Sequence, residues 1–140
     1  MSRKTIDEIQ SGIISEFKEL GDGFDQYSYL IELSCMQPGL GDEERKNAKL
    51  VDGCQSHVWL DISEKNGEFF FRSDSDTLII KGILYILTEM FCGQNPADVA
   101  AAKVTFLQET ALQETFETDR QKGIGYIIKT LQDAAKEMCS

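Results

Sequence analysis

The stretch Val58-Trp-Leu-Asp-Ile-Ser-Glu-Lys-Asn-Gly-Glu-Phe-Phe-Phe-Arg72 holds two runs of period two around Asn66-Gly67. Asn-Gly between such runs predicts a two-residue type I′ hairpin turn, because both central positions of that turn need positive φ. Pairing Lys65 with Glu68 sets the register: Glu64 then faces Phe69, Ile62 faces Phe71 and Asp61 faces Arg72. Val58, Leu60, Ile62, Phe69 and Phe71 gather on one face, and a slip of one residue would turn that set toward water. Two opposite-charge pairs, Lys65 with Glu68 and Asp61 with Arg72, fall opposite each other, each worth about 0.2–1 kcal/mol. Trp59 and Phe70 fall on the second face, which therefore needs a cover of its own.

Helices flank this hairpin. Thr5 and Glu8 have the spacing of a capping box, and Ile6, Ile9, Ile13, Ile14, Phe17 and Leu20 follow before Gly21. A second helix is expected over about 24–36, with Phe24, Tyr27, Leu30, Ile31 and Leu33 inward and Pro38, Gly39 and Gly41 as its stop. The charged residues 42–49 read as a short solvated helix or turn. Asp74-Ser75-Asp76 is expected to cap a helix over 77–92 that is apolar nearly all round, which makes it the central core helix. Gly82 would allow a neighbour to approach closely, and Gly93 closes the helix. Asn95-Pro96 restarts a short helix. After an irregular stretch from Phe106 to Phe116, Thr118 or Asp119 is expected to cap a last helix to Met138, with Ile124, Ile127, Ile128 and Leu131 inward.

The chain has 140 residues, enough for one domain without disulfide staples, and four cysteines with no paired spacing. No run reaches membrane-spanning length and no signal peptide is visible, so a cytoplasmic protein with reduced thiols is expected. A net charge of -10 makes nucleic acid and anionic membrane surfaces poor partners. Cys54 differs from the other cysteines in lying on a loop, between Gly53 and the hydrogen-bonding Gln55 and Ser56, just before a strand. Such a displayed thiol points to sulfur chemistry.

The run Gly53-Cys-Gln-Ser-His-Val-Trp59, the upstream Tyr29-Leu-Ile-Glu-Leu33, and Phe70-Phe-Arg-Ser-Asp-Ser-Asp76 leading into Leu78-Ile-Ile-Lys-Gly82 resemble the SufE/CsdE family. The resemblance covers nearly the whole chain in order. It implies an α+β fold with a small antiparallel sheet packed against several α-helices, similar to the IscU scaffold. It also implies a sulfur acceptor that takes persulfide sulfur from a PLP-dependent cysteine desulfurase of the SufS/CsdA kind, stimulates that enzyme, and serves a SufBCD-type scaffold. No cofactor or metal of its own is implied.

By the same resemblance Cys54 is the acceptor, Gly53, Gln55 and Ser56 form its loop, and Asp74 and Asp76 are the acidic pair before the long helix. Arg120 stands where the family has an Arg opening its last helix, although this chain reads Glu117-Thr-Asp-Arg-Gln121 where Thr-Pro-Ser-Arg-Ser is usual. A cation there opposes the helix N-terminus, and it is expected to serve either an anion such as the sulfur or an acidic neighbour. His57 stands where Gln is common. Two rival readings are an IscU-like iron–sulfur or metal-binding scaffold, which needs several convergent ligands, and a thiol hydrolase or peroxidase with His57 as base, for which no orienting third group is visible.

Overall fold

A computed structural model describes residues 4–51 and 56–139. Among them, α1 (Ile6–Glu19), α2 (Gly23–Ser34) and α3 (Asp42–Asn47) lead into β1 (Lys49–Leu50), β2 (Val58–Lys65) and β3 (Glu68–Ser75). Four helices follow: α4 (Leu78–Phe91), α5 (Pro96–Ala101), α6 (Leu112–Thr115) and α7 (Thr118–Met138). The architecture is α+β, a three-stranded antiparallel sheet of order β1-β2-β3 packed against helices.

The β2–β3 register is the expected one, from Lys65↔Glu68 to Val58↔Ser75. Asn66 and Gly67 both have positive φ, 55° and 80°, as the turn requires. Val58, Leu60, Phe69 and Phe71 are buried while Ile62 is half-buried. The two cross-strand charge pairs are neighbours, yet their cations choose other partners. Arg72 bonds Glu44 of α3, and Lys65 sits 5.6 Å over the Phe70 ring. Both choices follow from the second sheet face: α3 lies against it, and Phe70 offers an aromatic surface within reach of a long side chain.

The third strand, for which the sequence offered no pattern, is β1. Its two residues pair with Leu60 and Trp59, and both are exposed, so no apolar alternation marks them.

α4 is the core helix, with Ile79, Ile83, Leu84, Ile86, Leu87, Met90 and Phe91 almost fully buried. A Cβ on Gly82 would stand 2.4 Å from the Leu30 carbonyl oxygen, so the absence of a side chain is what lets α2 press onto α4. Gly93, at φ 83°, ends the helix, and its amide bonds Phe69 O on β3.

The expected caps need correction. Thr77, not the acidic run, is the N-cap of α4, and it makes no side-chain cap bond. Asp74 and Ser75 belong to β3; Asp74 bonds away from the helix, while Ser75 Oγ accepts the Thr77 amide and donates to His57 O. Glu117 precedes α7, again without a side-chain cap, in place of Thr118 or Asp119. In α2 the inward residues are Gln26, Leu30, Leu33 and Ser34; Phe24 is 78% exposed and Tyr27 and Leu20 are also at the surface. Asp22 caps α2, which starts at Gly23, one residue before the expected start, and Phe24 lies in its first turn.

Two buried glutamines, Gln10 and Gln26, and the half-buried Gln132 hold the irregular segments. Gln10 Oε1 accepts from the Thr105 and Phe106 amides, Gln26 Oε1 accepts from Ala111 N, and Gln132 Nε2 donates to Val99 O and Ala102 O. Most of these bonds satisfy backbone groups outside ladders and helices, and the one to Val99 O joins the Ala102 amide at the end of α5.

Candidate functional site

Residues 52–55 lie outside the described residues, and with them Gly53, Cys54 and Gln55. The anchors on either side are described. Upstream, Val51 is buried and its amide donates to Val58 O at 2.9 Å, extending the β1–β2 pairing. Downstream, Ser56 and His57 are fastened to residues 75–77, which carry β3 into α4. Ser56 Oγ lies 2.5 Å from Thr77 Oγ1, and Ser75 Oγ donates to His57 O at 2.8 Å. The Asp76 amide also donates to His57 O, while Asp76 Oδ1 accepts from His57 N at 3.0 Å.

Asp76 binds the same residue a second time, through its side chain. Its Oδ2 is 2.8 Å from His57 Nδ1. The His57 ring, above all, holds the Asp76 carboxyl below the usual aspartate range; burial opposes it, and the His57 amide and the Thr77 hydroxyl add to the lowering. With Nδ1 directed at the carboxylate, Nε2 is the nitrogen left for chemistry, on a side chain that is 65% exposed. The ring also stacks on Trp59, with centroids 5.7 Å apart and planes 17° apart. Asp76 is therefore the orienting group that the sequence did not reveal.

Asp74, two residues earlier on the same strand, does different work. Its side chain is 4% exposed, and Oδ2 accepts from Leu40 N at 3.0 Å and Arg45 Nη2 at 2.7 Å. Its Oδ1 accepts from Ser75 N at 2.8 Å, and Lys81 Nζ stands 3.7 Å away. Burial pushes its pKa up, but the Leu40 amide, the Arg45 guanidinium and the Ser75 amide together hold it below the usual aspartate value. Gly39, at φ 73°, makes room for this, since a Cβ there would lie 3.0 Å from Asp74 Oδ2. Gln37 completes the fastening, donating from Nε2 to Ser73 O and accepting the Gly39 amide at Oε1.

Arg45 is the cation the sequence reading passed over as part of a solvated helix. Besides holding Asp74, its guanidinium lies 4.4 Å from the centre of the Trp59 ring. A continuous chain thus runs Asp74–Arg45–Trp59–His57–Asp76 across the outer sheet face, next to Ser56. Trp59 is covered by this chain, and Val58 is fully buried.

Arg120 stands in the first turn of α7, half-buried. No hydrogen bond or ion pair joins it to Ser56, His57, Asp74 or Asp76 among the described residues. Cys35 and Cys139 follow the ends of α2 and α7, and Cys92 follows α4, its Sγ against the Phe71 backbone. Among the described residues no three His, Cys, Asp or Glu side chains converge as a metal site requires.

Residues 11–135 match the SufE family, described as an Fe-S metabolism associated domain. The chain belongs to the SufE family. A curated relative, an uncharacterized SufE-like protein of Rhizobium etli, is 31% identical over 130 residues, covering 89% of this chain and 87% of its own length. The fold is similar to the solution structure of a hypothetical protein from Thermus thermophilus, with a TM-score of 0.78, 17% identity, and 94% of this chain and 96% of that chain covered. Association with iron–sulfur metabolism follows from the SufE family. No helix among the described residues is long and apolar enough to cross a membrane.

Proposed function

We propose that this chain is a single SufE domain that accepts sulfur on Cys54 from a PLP-dependent cysteine desulfurase, stimulates that enzyme, and hands the sulfur to an iron–sulfur assembly scaffold of the SufBCD type in the cytoplasm. The observation that carries this reading is the family match over residues 11–135, which spans the Gly53-Cys54-Gln55-Ser56 run. The fastening of Val51 on one side and of Ser56 and His57 on the other supports it. Together they give the connection that bears Cys54 two fixed ends.

In the transfer, the Cys54 thiolate attacks the outer sulfur of the desulfurase persulfide. A new S–S bond forms at Cys54 as the old one breaks, and the electron pair leaves on the desulfurase cysteine as a thiolate. No external oxidant or reductant is consumed. The attack rate depends on both the ionised fraction and the nucleophilicity of the thiol, so a proton acceptor near the loop favours the step. His57 Nε2, with Nδ1 held by Asp76, is available for that role. Arg120 remains a candidate for stabilising the sulfur anion.

The test is desulfurase turnover, read as sulfide or alanine released from cysteine with and without this chain. Stimulation by the wild type and none by Cys54→Ser is the expected result. Equal stimulation by both would contradict the role given to Cys54. The His57–Asp76 pair also favours one second reading, a thiol hydrolase, which predicts thioester cleavage lost in Cys54→Ser and Asp76→Asn alike.

A further inference from the structure

A groove of about 600 Å³ runs between α1, α2 and α4. Its floor and walls are apolar and aromatic: Ile9, Ile13, Phe17, Leu33, Tyr29 and Tyr85. Its rim is acidic. Glu8 and Glu16 stand on α1 and Glu89 on α4, with Lys4 the one cation in the lining among the described residues. Among the described residues none of these three glutamates is in an ion pair. Glu8, Gly12 and Glu16 fall four residues apart on α1 and share a stripe, so two glutamate positions about 12 Å apart along the axis flank the side-chain-free Gly12, with the Glu8 carboxylate also accepting from the Thr5 amide. A Cβ on Gly12 would meet nothing within 4 Å. Met36, 61% exposed, adds a flexible apolar side chain at the border.

The tyrosines report the field inside. Burial first, and then Glu89 and Glu16, push the Tyr85 hydroxyl up; burial and Glu16, with which Tyr29 bonds at 3.1 Å, do the same for Tyr29. Negative potential over an apolar floor repels a second copy of a chain that carries a net charge of -10. It attracts a partner that is apolar on one side and cationic at the edges of that side.

We propose that this groove docks a basic amphipathic helix of a partner protein. A helix laid between helical walls fills the space with an i, i+3, i+4, i+7 row, the usual mode for a helix in a groove. Lys or Arg residues about two turns apart beside that row face Glu8 and Glu16, and a cation on the other edge faces Glu89.

The experiment uses a synthetic helical peptide of about four turns, with Leu along one stripe and Lys on both flanks, and a counterpart with Glu in place of Lys. Binding is followed by fluorescence titration and by amide NMR shifts of the full chain. The Lys peptide is expected to shift the signals of Gly12, Ile13, Glu16 and Tyr85 and to weaken with salt, while the Glu peptide leaves them unmoved. Gly12→Trp fills the groove at a position with open space and is expected to lower affinity about tenfold or more without lowering the melting temperature. Gly125→Trp, an equally open site on α7, serves as control and should bind as the wild type does. Failure of the Lys peptide to bind, or equal binding to Gly12→Trp, overturns the proposal. So does a concentration-dependent dimer abolished by Gly12→Trp, which would assign the groove to a second copy.

Discussion

Asp74→Ala would strand the Leu40 and Ser75 amides and leave Arg45 without its closest anion. Buried donors left without acceptors cost about 1–3 kcal/mol, and a loss of that size in urea unfolding at neutral pH is the expected result. The pH dependence has a definite sign. The Asp74 carboxyl titrates lower in the folded chain than an ordinary aspartate, so the unfolded chain takes up the proton first as pH falls. Its contribution is whole above the ordinary value near 3.9 and is lost as pH drops through the folded value. Asp74→Asn should therefore show a shallower fall in stability below about pH 4 than the wild type. Sequence marked Asp74 through its acidic run but assigned it to a helix cap. The distinction needed the positions of Leu40 and Arg45, about thirty residues upstream, which no local pattern supplies. Asp76 was equally visible as a residue and equally opaque as a partner of His57.

Two glycines give opposite answers to the same substitution because the elements around them differ. On α4, Gly82→Ala puts a methyl group 2.4 Å from Leu30 O and forces α2 outward, so destabilisation of about 1–3 kcal/mol is expected despite the better helix propensity of alanine. On α1, Gly12→Ala enters open space and should stabilise by about 0.4–1 kcal/mol. Thermal and urea unfolding of the two variants side by side checks both signs. The hairpin and the core helix were legible because each carries its period in adjacent residues and its stop in a glycine turn. β1 was not, since two exposed residues have no period. The inner face of α2 was misjudged because it is built on Gln26 and Ser34 as well as Leu30 and Leu33, and a count of apolar residues favours Phe24 over Gln26. The same blindness hid Gln10, whose amide pins residues 103–106 across the molecule.

Across the described residues, helices on one side of the sheet supply the stability while α3 and its Arg45 dress the other side. Asp76 sits at the junction of β3 and α4 and holds His57 there. Asp76→Asn is expected to keep the fold and to slow sulfur uptake from the desulfurase; an unchanged uptake rate would remove the His57–Asp76 pair from the transfer step. The family was legible from the Gly53–Trp59 run and the Asp74–Asp76 run together, whereas the groove on α1 was not, because it exists only once three helices are set side by side. The acceptor role itself is tested most directly by intact-mass analysis with peptide mapping, after incubation of the chain with a cysteine desulfurase and cysteine. One added sulfur atom located on Cys54, absent in Cys54→Ser, is the predicted result. Sulfur gained on Cys35, Cys92 or Cys139 with Cys54 unmodified would contradict it.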